Sequence, residues 1–202
     1  METLARLLDF LFPRADSAER IAKASAIEFG ALLCPRTNSD GTVSLLPYRH
    51  SLVRAAILEA KFHRNAKAFA LLGNVLREYL SAMEEDTDSF EAASFRVVPV
   101  PLSTARRYAR GYNQVEEVAK VAGVPLTQLL ERVRDTPPQS SLTRARRLTN
   151  MEGAFRVHDV LDPMHFYIVL DDVLTTGTTL ASAMAALRAA GARNVTGLAL
   201  AH

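Results

Sequence analysis

The stretch FYIVLDDVLTTGTTLASAMAALRAA, residues 166–190, decides the fold of this chain. Its apolar run from Tyr167 to Leu170 is typical of a strand that is buried on both faces of a sheet. Two carboxylates, Asp171 and Asp172, end the run, and the turn TTGTT at residues 175–179 follows them. A helix is predicted after the turn from apolar residues at helical spacing, namely Leu180, Met184 and Leu187.

The turn has the composition of an anion-binding site. Backbone N–H groups at the start of a helix point towards an anion, and the helix dipole favours negative charge there. Gly177 permits a close approach of the backbone. Further hydrogen-bond donors come from the hydroxyls of Thr175, Thr176, Thr178 and Thr179. The alternative is an ordinary turn whose threonines cap the helix, but adjacent aspartates at the end of a buried strand are costly unless something compensates them.

This order of residues resembles the signature by which type I phosphoribosyltransferases bind 5-phosphoribosyl 1-diphosphate (PRPP). The resemblance implies that Asp171 and Asp172 hold the ribose 2′- and 3′-hydroxyls and take part in catalysis. It also implies that Thr175 to Thr179 hold the 5′-phosphate. Carboxylates of this kind suit Mg2+, held directly or through water. PRPP, as substrate or ligand, and Mg2+ are therefore the expected small molecules.

The composition indicates a soluble protein with a substantial core. Of the 202 residues, 49% are hydrophobic, and no apolar run is long enough to cross a membrane. The opening stretch METLARLLDFLFPRAD does not have the pattern of a secretory signal. The single cysteine, Cys34, excludes an intramolecular disulfide and a zinc site rich in thiolates. We therefore expect a cytoplasmic protein without zinc.

A second group of candidate residues follows the apolar segment of residues 97–100. Pro99 and Pro101 end the strand predicted there, and Ser103 and Thr104 can cap a helix. That helix carries basic residues early, namely Arg106, Arg107 and Arg110. Basic residues in a first turn oppose the helix dipole unless an anion compensates them, and pyrophosphate is one candidate. Exposed arginines that are merely tolerated are the equally weighted alternative.

The motifs PVPLS (99–103) and RRYARGYNQ (106–114) resemble the ComF/GntX family, a branch of the phosphoribosyltransferases associated with DNA uptake. The first motif also resembles the pyrophosphate loop of glutamine amidophosphoribosyltransferases. That resemblance implies that one group of residues approaches the diphosphate: Pro99, Val100, Pro101, Leu102, Ser103, Thr104 and Arg106. The amidotransferases have an acid where this chain has Leu102.

The segment from Arg134 to Phe155 continues the ComF resemblance. Its first part is polar and interrupted by prolines, which is typical of a mobile loop. In phosphoribosyltransferases a flexible loop closes over the reacting sugar and excludes water. The resemblance implies such a loop here, with Gln139, Arg144, Arg146 and Arg147. The three arginines could steady the departing charge, and Arg147 is expected to be catalytic. The alternative is a surface helix with basic residues, which is less favoured for Arg147 than for Arg146.

Predicted strands alternate with predicted helices, which indicates an α/β fold with a mainly parallel sheet flanked by helices. The resemblance implies a type I phosphoribosyltransferase fold. Residues 1–46 are predicted as a helical N-terminal segment, and residues 47–202 as the phosphoribosyltransferase domain, beginning with two helices up to residue 83. Many ComF proteins open with a four-cysteine zinc ribbon, which this sequence cannot form. Lys61, His63 and Arg64 are interpreted as a solvated junction between the two helices, with contact to a phosphate as the less favoured alternative.

Three functions stay open at this point. The first is a phosphoribosyltransferase that transfers the sugar to a nitrogen acceptor, although no residue is plainly a general base. The second is a non-catalytic accessory protein of DNA uptake, whose basic central region contacts single-stranded DNA. Residues 96–156 carry eleven Lys/Arg against five Asp/Glu, but Tyr108 and Tyr112 are the only close aromatics for base stacking. The third is a regulator that senses PRPP or a nucleotide. The oligomeric state is not predicted, and a dimer is compatible with the sequence.

Overall fold

The computed structural model describes residues 14–85, 95–134 and 153–202. Groups of helices alternate with groups of strands along these ranges, and the central sheet is mainly parallel, which confirms the predicted α/β class. The elements are, in chain order, α1 (Arg14–Lys23), α2 (Ala26–Gly30), β1 (Arg36–Thr37), β2 (Val43–Leu46), α3 (Ser51–Phe62), α4 (Ala66–Glu85), β3 (Phe95–Pro99), α5 (Thr104–Arg110), α6 (Gln114–Ala122), β4 (Leu130–Arg132), β5 (Phe155–Val157), β6 (Phe166–Val173), α7 (Thr178–Ala189) and β7 (Asn194–Ala201).

Five strands form the central sheet in the order β1-β2-β7-β6-β3. The four strands β2, β7, β6 and β3 run parallel to one another, and β1 is an antiparallel edge strand. Strands β4 and β5 form a separate antiparallel pair. The mainly parallel sheet is therefore as predicted, and β6 lies inside it with a hydrogen-bonded strand on each side.

Strand β6 is longer than its apolar run predicts. Tyr167 to Leu170 are buried, as expected. The strand then continues through both aspartates, and Val173 still pairs with Ala201 of β7. Consecutive strand residues point to opposite faces of a sheet. Asp171 and Asp172 therefore have different surroundings, although they are neighbours in the sequence.

The two faces of the sheet carry separate hydrophobic clusters. On one face, Ile168 and Leu170 pack with apolar residues of the helices α1 to α4 and α6. On the other face, Tyr167 and Val169 pack with the apolar side of α7, whose predicted core residues Leu180, Met184 and Leu187 are all buried. Burying such a side chain contributes about 1.5–3 kcal/mol, so both clusters hold β6 and the polar turn in place.

Residues 1–46 are predicted to be a helical segment, but the described part of this segment is not helical throughout. Strands β1 and β2 belong to the central sheet, since β2 pairs in parallel with β7. Helix α1 packs against α3, and α2 packs against α4. The domain division at residue 46 stays a prediction. Within the described residues, no helix is long and apolar enough to cross a membrane.

Candidate functional site

A cleft of about 390 Å³ lies where strands β3 and β6 end. Open parallel sheets bind ligands at the carboxyl ends of their strands. The cleft brings together two groups of residues that the sequence predicted separately. From the acid pair and turn it contains Asp171, Asp172, Thr175 and Thr179; from the predicted pyrophosphate loop it contains Val100, Pro101, Leu102 and Arg106.

The turn brings a left-handed glycine to the start of α7. Gly177 has a φ of 74°, in the left-handed region, and it is the residue that precedes α7. Since glycine has no side chain to accept from the first amides of the helix, the threonine-capping alternative does not describe this N-cap. The hydroxyls of Thr176 and Thr178 lie 2.8 Å apart in a hydrogen bond. A small pocket of about 10 Å³ lies beside Gly177, between the turn and Asp171.

The strand end and the helix cap predicted for residues 99–104 are observed, while a role of this segment in binding pyrophosphate stays a prediction. Pro99 is the last residue of β3, and the backbone N–H of Val100 donates to the carbonyl of Leu170 at 2.9 Å. Ser103 is the N-cap of α5, since its hydroxyl accepts from the backbone N–H of Arg106 at 3.3 Å. Thr104 is the first residue of the helix, which ends at Arg110. Arg107 and Arg110 therefore lie in its last turn, where the helix dipole favours basic residues, and the prediction that they lie early and oppose the dipole is wrong for these two. Of the loop's polar side chains, that of Arg106 lines the cleft.

The predicted flexible loop lies outside the described residues. This applies to four predicted site residues: Gln139, Arg144, Arg146 and Arg147. Their roles, including the catalytic role of Arg147, stay predictions.

Asp172 is held by two side chains from different helices. Lys61 Nζ of α3 lies 2.9 Å from Asp172 Oδ1, and both side chains are largely buried, with 20% and 12% exposed. Gln114 Nε2 of α6 donates a short hydrogen bond to Asp172 Oδ2. Burial raises the pKa of Asp172, but the charge of Lys61 and the hydrogen bonds from Lys61 and Gln114 outweigh it and hold the pKa below its ordinary value.

Asp171 has a different environment. Its Oδ1 accepts the backbone N–H of Asp172 at 2.8 Å. Burial and, after it, the negative charge of Asp172 raise the pKa of Asp171 to about 7, although the charges of Lys61 and Arg106 act in the opposite direction. Within the described ranges, no side chain donates a hydrogen bond to Asp171. A ligand that brings a cation or a hydroxyl to this position would therefore stabilise the ionised form of Asp171.

Two further cleft residues, Arg110 and Phe62, complete the surroundings of Gln114. Arg110 Nη1 donates to Gln114 Oε1 at 2.7 Å, and its guanidinium lies 5.1 Å from the centre of the Phe62 ring. Burial lowers the pKa of Arg110, while the charge of Asp172 raises it. Arg110 thereby fixes which end of the Gln114 amide faces Asp172.

Lys61 lines the cleft beside Asp172, which the preferred interpretation of the sequence did not predict. The prediction of a solvated junction is wrong for Lys61 and also for His63, whose side chain is 13% exposed and lies 3.9 Å from buried Glu59. It holds for Arg64, which is 65% exposed. The sequence did single out Gln114, because this residue belongs to the motif RRYARGYNQ. For Lys61 the sequence offered only a basic cluster at the end of a predicted helix, for which contact to a phosphate was the less favoured alternative.

The donor set fits Mg2+ that is shared with a ligand. In the part of the chain that the structure describes, no group of three or more His, Cys, Asp or Glu side chains could hold a metal ion. Mg2+ usually keeps several waters and binds one or two carboxylates together with substrate phosphates. Asp171, which lines the cleft, can provide such a carboxylate. Held there with the ligand, the ion would neutralise phosphate charge.

We predict that Asp171 makes the stability of the protein depend on pH. Its pKa is about 7 in the folded protein and 3.8 ordinarily, so the folded state binds an extra proton between these values. The contribution of Asp171 to stability is therefore largest near pH 4 and is lost as pH rises to about 7. Urea unfolding at several pH values should show that Asp171→Asn flattens the fall over this range. An unchanged slope would contradict the prediction.

Comparison with known proteins identifies the family. No family model matches the chain. It is 33% identical over 169 residues to the DNA utilization protein YhgH of Shigella flexneri, covering 79% of this chain and 67% of that protein. It is also 34% identical over 125 residues to the competence protein ComFC of Streptococcus pneumoniae, covering 62% of this chain and 54% of ComFC. The chain belongs to the ComF family.

This membership confirms the family resemblance found in the sequence. Against YhgH of Salmonella typhi, the ComF-family chain matches 61% of the relative's length at 32% identity. It thus spans less than two thirds of several of these relatives. Among solved structures, it is similar to the orotate phosphoribosyltransferase of Mycobacterium tuberculosis H37Rv, crystallised with inorganic phosphate. That similarity covers 91% of this chain and 80% of the enzyme, with 19% identity and a TM-score of 0.33, and it does not extend to function.

Proposed function

We propose that this ComF-family chain binds PRPP together with Mg2+ and transfers the phosphoribosyl group to a nitrogen acceptor, releasing pyrophosphate. One observation carries the proposal. A single cleft combines an acid pair at the end of a central parallel strand, a threonine-rich turn before a helix, and arginines from a second strand end. A sugar that carries both a phosphate and a diphosphate needs these three kinds of contact in one place.

The cleft offers a contact for each part of PRPP. The backbone amides around Gly177 suit the 5′-phosphate, because they lie at the start of α7. Asp171 suits the ribose hydroxyls and a shared Mg2+. Arg106 and Arg110 lie on α5 beside the end of β3, where their charges suit the diphosphate. In the proposed complex these arginines would supply the positive charges that the diphosphate needs, because desolvated charges must be paired.

In the proposed reaction, the bond between the anomeric carbon and the diphosphate oxygen breaks, and a bond from that carbon to the acceptor nitrogen forms. The nitrogen loses its proton to water, and the bonding electrons leave with pyrophosphate. Positive charge develops on the ribose, so the protein contributes mainly by holding the sugar and the leaving group in line. The cations of the cleft stabilise the charge that collects on the diphosphate.

A second candidate, binding of single-stranded DNA, is favoured by a different observation. Helix α5 has no buried residue, and Tyr108 on it is 86% exposed. Arg107 on the same helix is also exposed, so α5 presents an aromatic ring and a basic side chain to solvent, the two kinds of group that stack bases and contact phosphates. The related proteins are named for DNA utilization and competence. A sensor of PRPP or a nucleotide would use the same cleft as the enzyme.

Three measurements separate these functions. PRPP with Mg2+ should raise the melting temperature of an enzyme or a sensor, whereas Mg2+ alone or ribose 5-phosphate should raise it less. Release of pyrophosphate from PRPP in the presence of nucleobases or amines would occur only with an enzyme. Affinity for single-stranded DNA that falls steeply with salt would support the second candidate. No stabilisation by PRPP at any concentration would contradict the proposal.

A further inference from the structure

The acid pair is asymmetric in its contacts. Asp172 uses one oxygen for Lys61, at 2.9 Å, and the other for the side-chain amide of Gln114. The opposite end of that amide accepts from Arg110. Asp172 is thus enclosed by a chain of partners from α3, α5 and α6. Asp171 accepts a backbone amide on one oxygen and lines the cleft.

We propose that Lys61 is a positioning residue, which fixes Asp172 as a structural carboxylate and leaves Asp171 as the acid that contacts the ligand. This inference rests on the proposed function, because it assigns different roles to two aspartates that the sequence resemblance treats alike. It also gives a role to a lysine on α3, outside the motifs by which the site was found.

The burial of the ion pair supports this division. A buried lysine that loses its carboxylate is left as an uncompensated charge, which is much more costly than loss of an exposed pair. A sugar hydroxyl that displaced Lys61 from Asp172 would have to offset that loss with one neutral hydrogen bond, which is weaker than a charge-assisted one. Asp172 therefore keeps Lys61 when a ligand enters. The ligand meets Asp171, where no side-chain donor has to be displaced within the described residues.

This arrangement predicts an unusual pattern in binding. The charge of Lys61 already acts on Asp171. In Asp172→Asn, the lysine loses its partner, and the nearest remaining carboxylate is that of Asp171. Lys61 then competes with the ligand for Asp171, so the variant binds weakly for an indirect reason. Removing Lys61 in the same background releases Asp171 again.

The experiment is a calorimetric titration of PRPP with Mg2+ into the full chain and its variants. Asp171→Asn should lose at least about tenfold in affinity, and Asp172→Asn should also bind more weakly than the wild type. The double variant Lys61→Met/Asp172→Asn should bind at least about threefold more tightly than Asp172→Asn alone. Lys61→Arg should bind better than Lys61→Met, because it keeps the charge next to Asp172. Lys120→Met is the matched control, since it removes an exposed lysine of α6.

A double variant that binds as weakly as Asp172→Asn, or more weakly, would overturn the inference, because Asp172 would then contact the ligand itself. Unfolding in urea gives a second test without ligand. Lys61→Met and Asp172→Asn should be coupled, with a combined loss of stability below the sum of the single losses, and the coupling of Lys61→Met with Asp171→Asn should be smaller. The reverse order would overturn the assignment of Lys61 to Asp172. If the wild type does not bind PRPP, the proposed function and the ligand-binding role of Asp171 are both contradicted. The unfolding measurements, which need no ligand, still show whether Lys61 pairs with Asp172.

Discussion

Gly73→Leu is expected to destabilise the protein by about 3 kcal/mol, because it separates two helices that are in close contact. Gly73 lies in α4 and faces α6. A Cβ atom at this position would lie 3.1 Å from the carbonyl oxygen of Val118 and 3.2 Å from the backbone nitrogen of Ala122. These neighbours are backbone atoms of a helix, which cannot rotate away as a side chain can.

The measurement is urea unfolding of Gly73→Leu, Gly73→Ala and a control. Alanine in place of glycine normally stabilises a helix by about 1 kcal/mol, so a loss of stability in Gly73→Ala would show the close approach directly. Ser81→Leu is the control, because Ser81 is exposed on the same helix. Stability of Gly73→Leu equal to that of Ser81→Leu would contradict the prediction.

The same substitution should weaken ligand binding. Helix α6 begins with Gln114, whose amide holds Asp172. A leucine at Gly73 pushes α6 away from α4 and moves the start of α6 relative to β6. We therefore expect the folded fraction of Gly73→Leu to bind PRPP less tightly than the wild type, although Gly73 itself is not a cleft residue.

The second large effect is expected for Gly177→Val, which should lower PRPP affinity by at least about tenfold. With φ at 74°, Gly177 adopts a conformation that is strained for any residue with a Cβ and most of all for a β-branched one. Space is not the main obstacle, since a Cβ would lie 3.7 Å from Leu174 Cδ1 and 3.8 Å from Asp40 Oδ2. The turn would change its backbone conformation and redirect the amides that hold the phosphate.

Gly191→Val is the matched control for this prediction. Gly191 also has a left-handed φ, of 105°, and lies just after the opposite end of α7. Valine at either position costs stability through backbone strain, but only the change at residue 177 alters the turn beside the cleft. Titration of both variants with PRPP and Mg2+ should show normal affinity for Gly191→Val. Equal losses of affinity in the two variants would contradict the assignment of the turn as the phosphate cradle.

The sequence predicted those parts of the site that depend on local patterns. The apolar run of β6, the polar turn and the apolar face of α7 lie within one stretch, and each has a period that can be read directly. The strand ahead of Ser103 and the cap formed by this serine were predictable for the same reason. The sheet order places these two strand ends side by side, as expected for neighbouring parallel strands.

Other features depend on distant contacts and left little trace in the sequence. The pair of Lys61 with Asp172 joins a helix from the first part of the chain to a strand from the last part, and neither residue determines the other by spacing. The extension of β6 through two aspartates runs against the apolar pattern, because the continued pairing with β7 comes from the sheet. Strands β1 and β2 are short, and β2 was not recognised because its partner β7 lies at the far end of the chain.

The central claim is that the acid pair and the turn after it hold a phosphoribosyl ligand. Isothermal calorimetry with PRPP and Mg2+ on three proteins tests it most directly: the wild type, Asp171→Asn/Asp172→Asn, and Asp159→Asn as a control on an exposed loop. The account predicts binding by the wild type and by Asp159→Asn, and a loss of at least about tenfold, or 1.4 kcal/mol, in the double variant. Equal affinity in all three proteins would contradict the account.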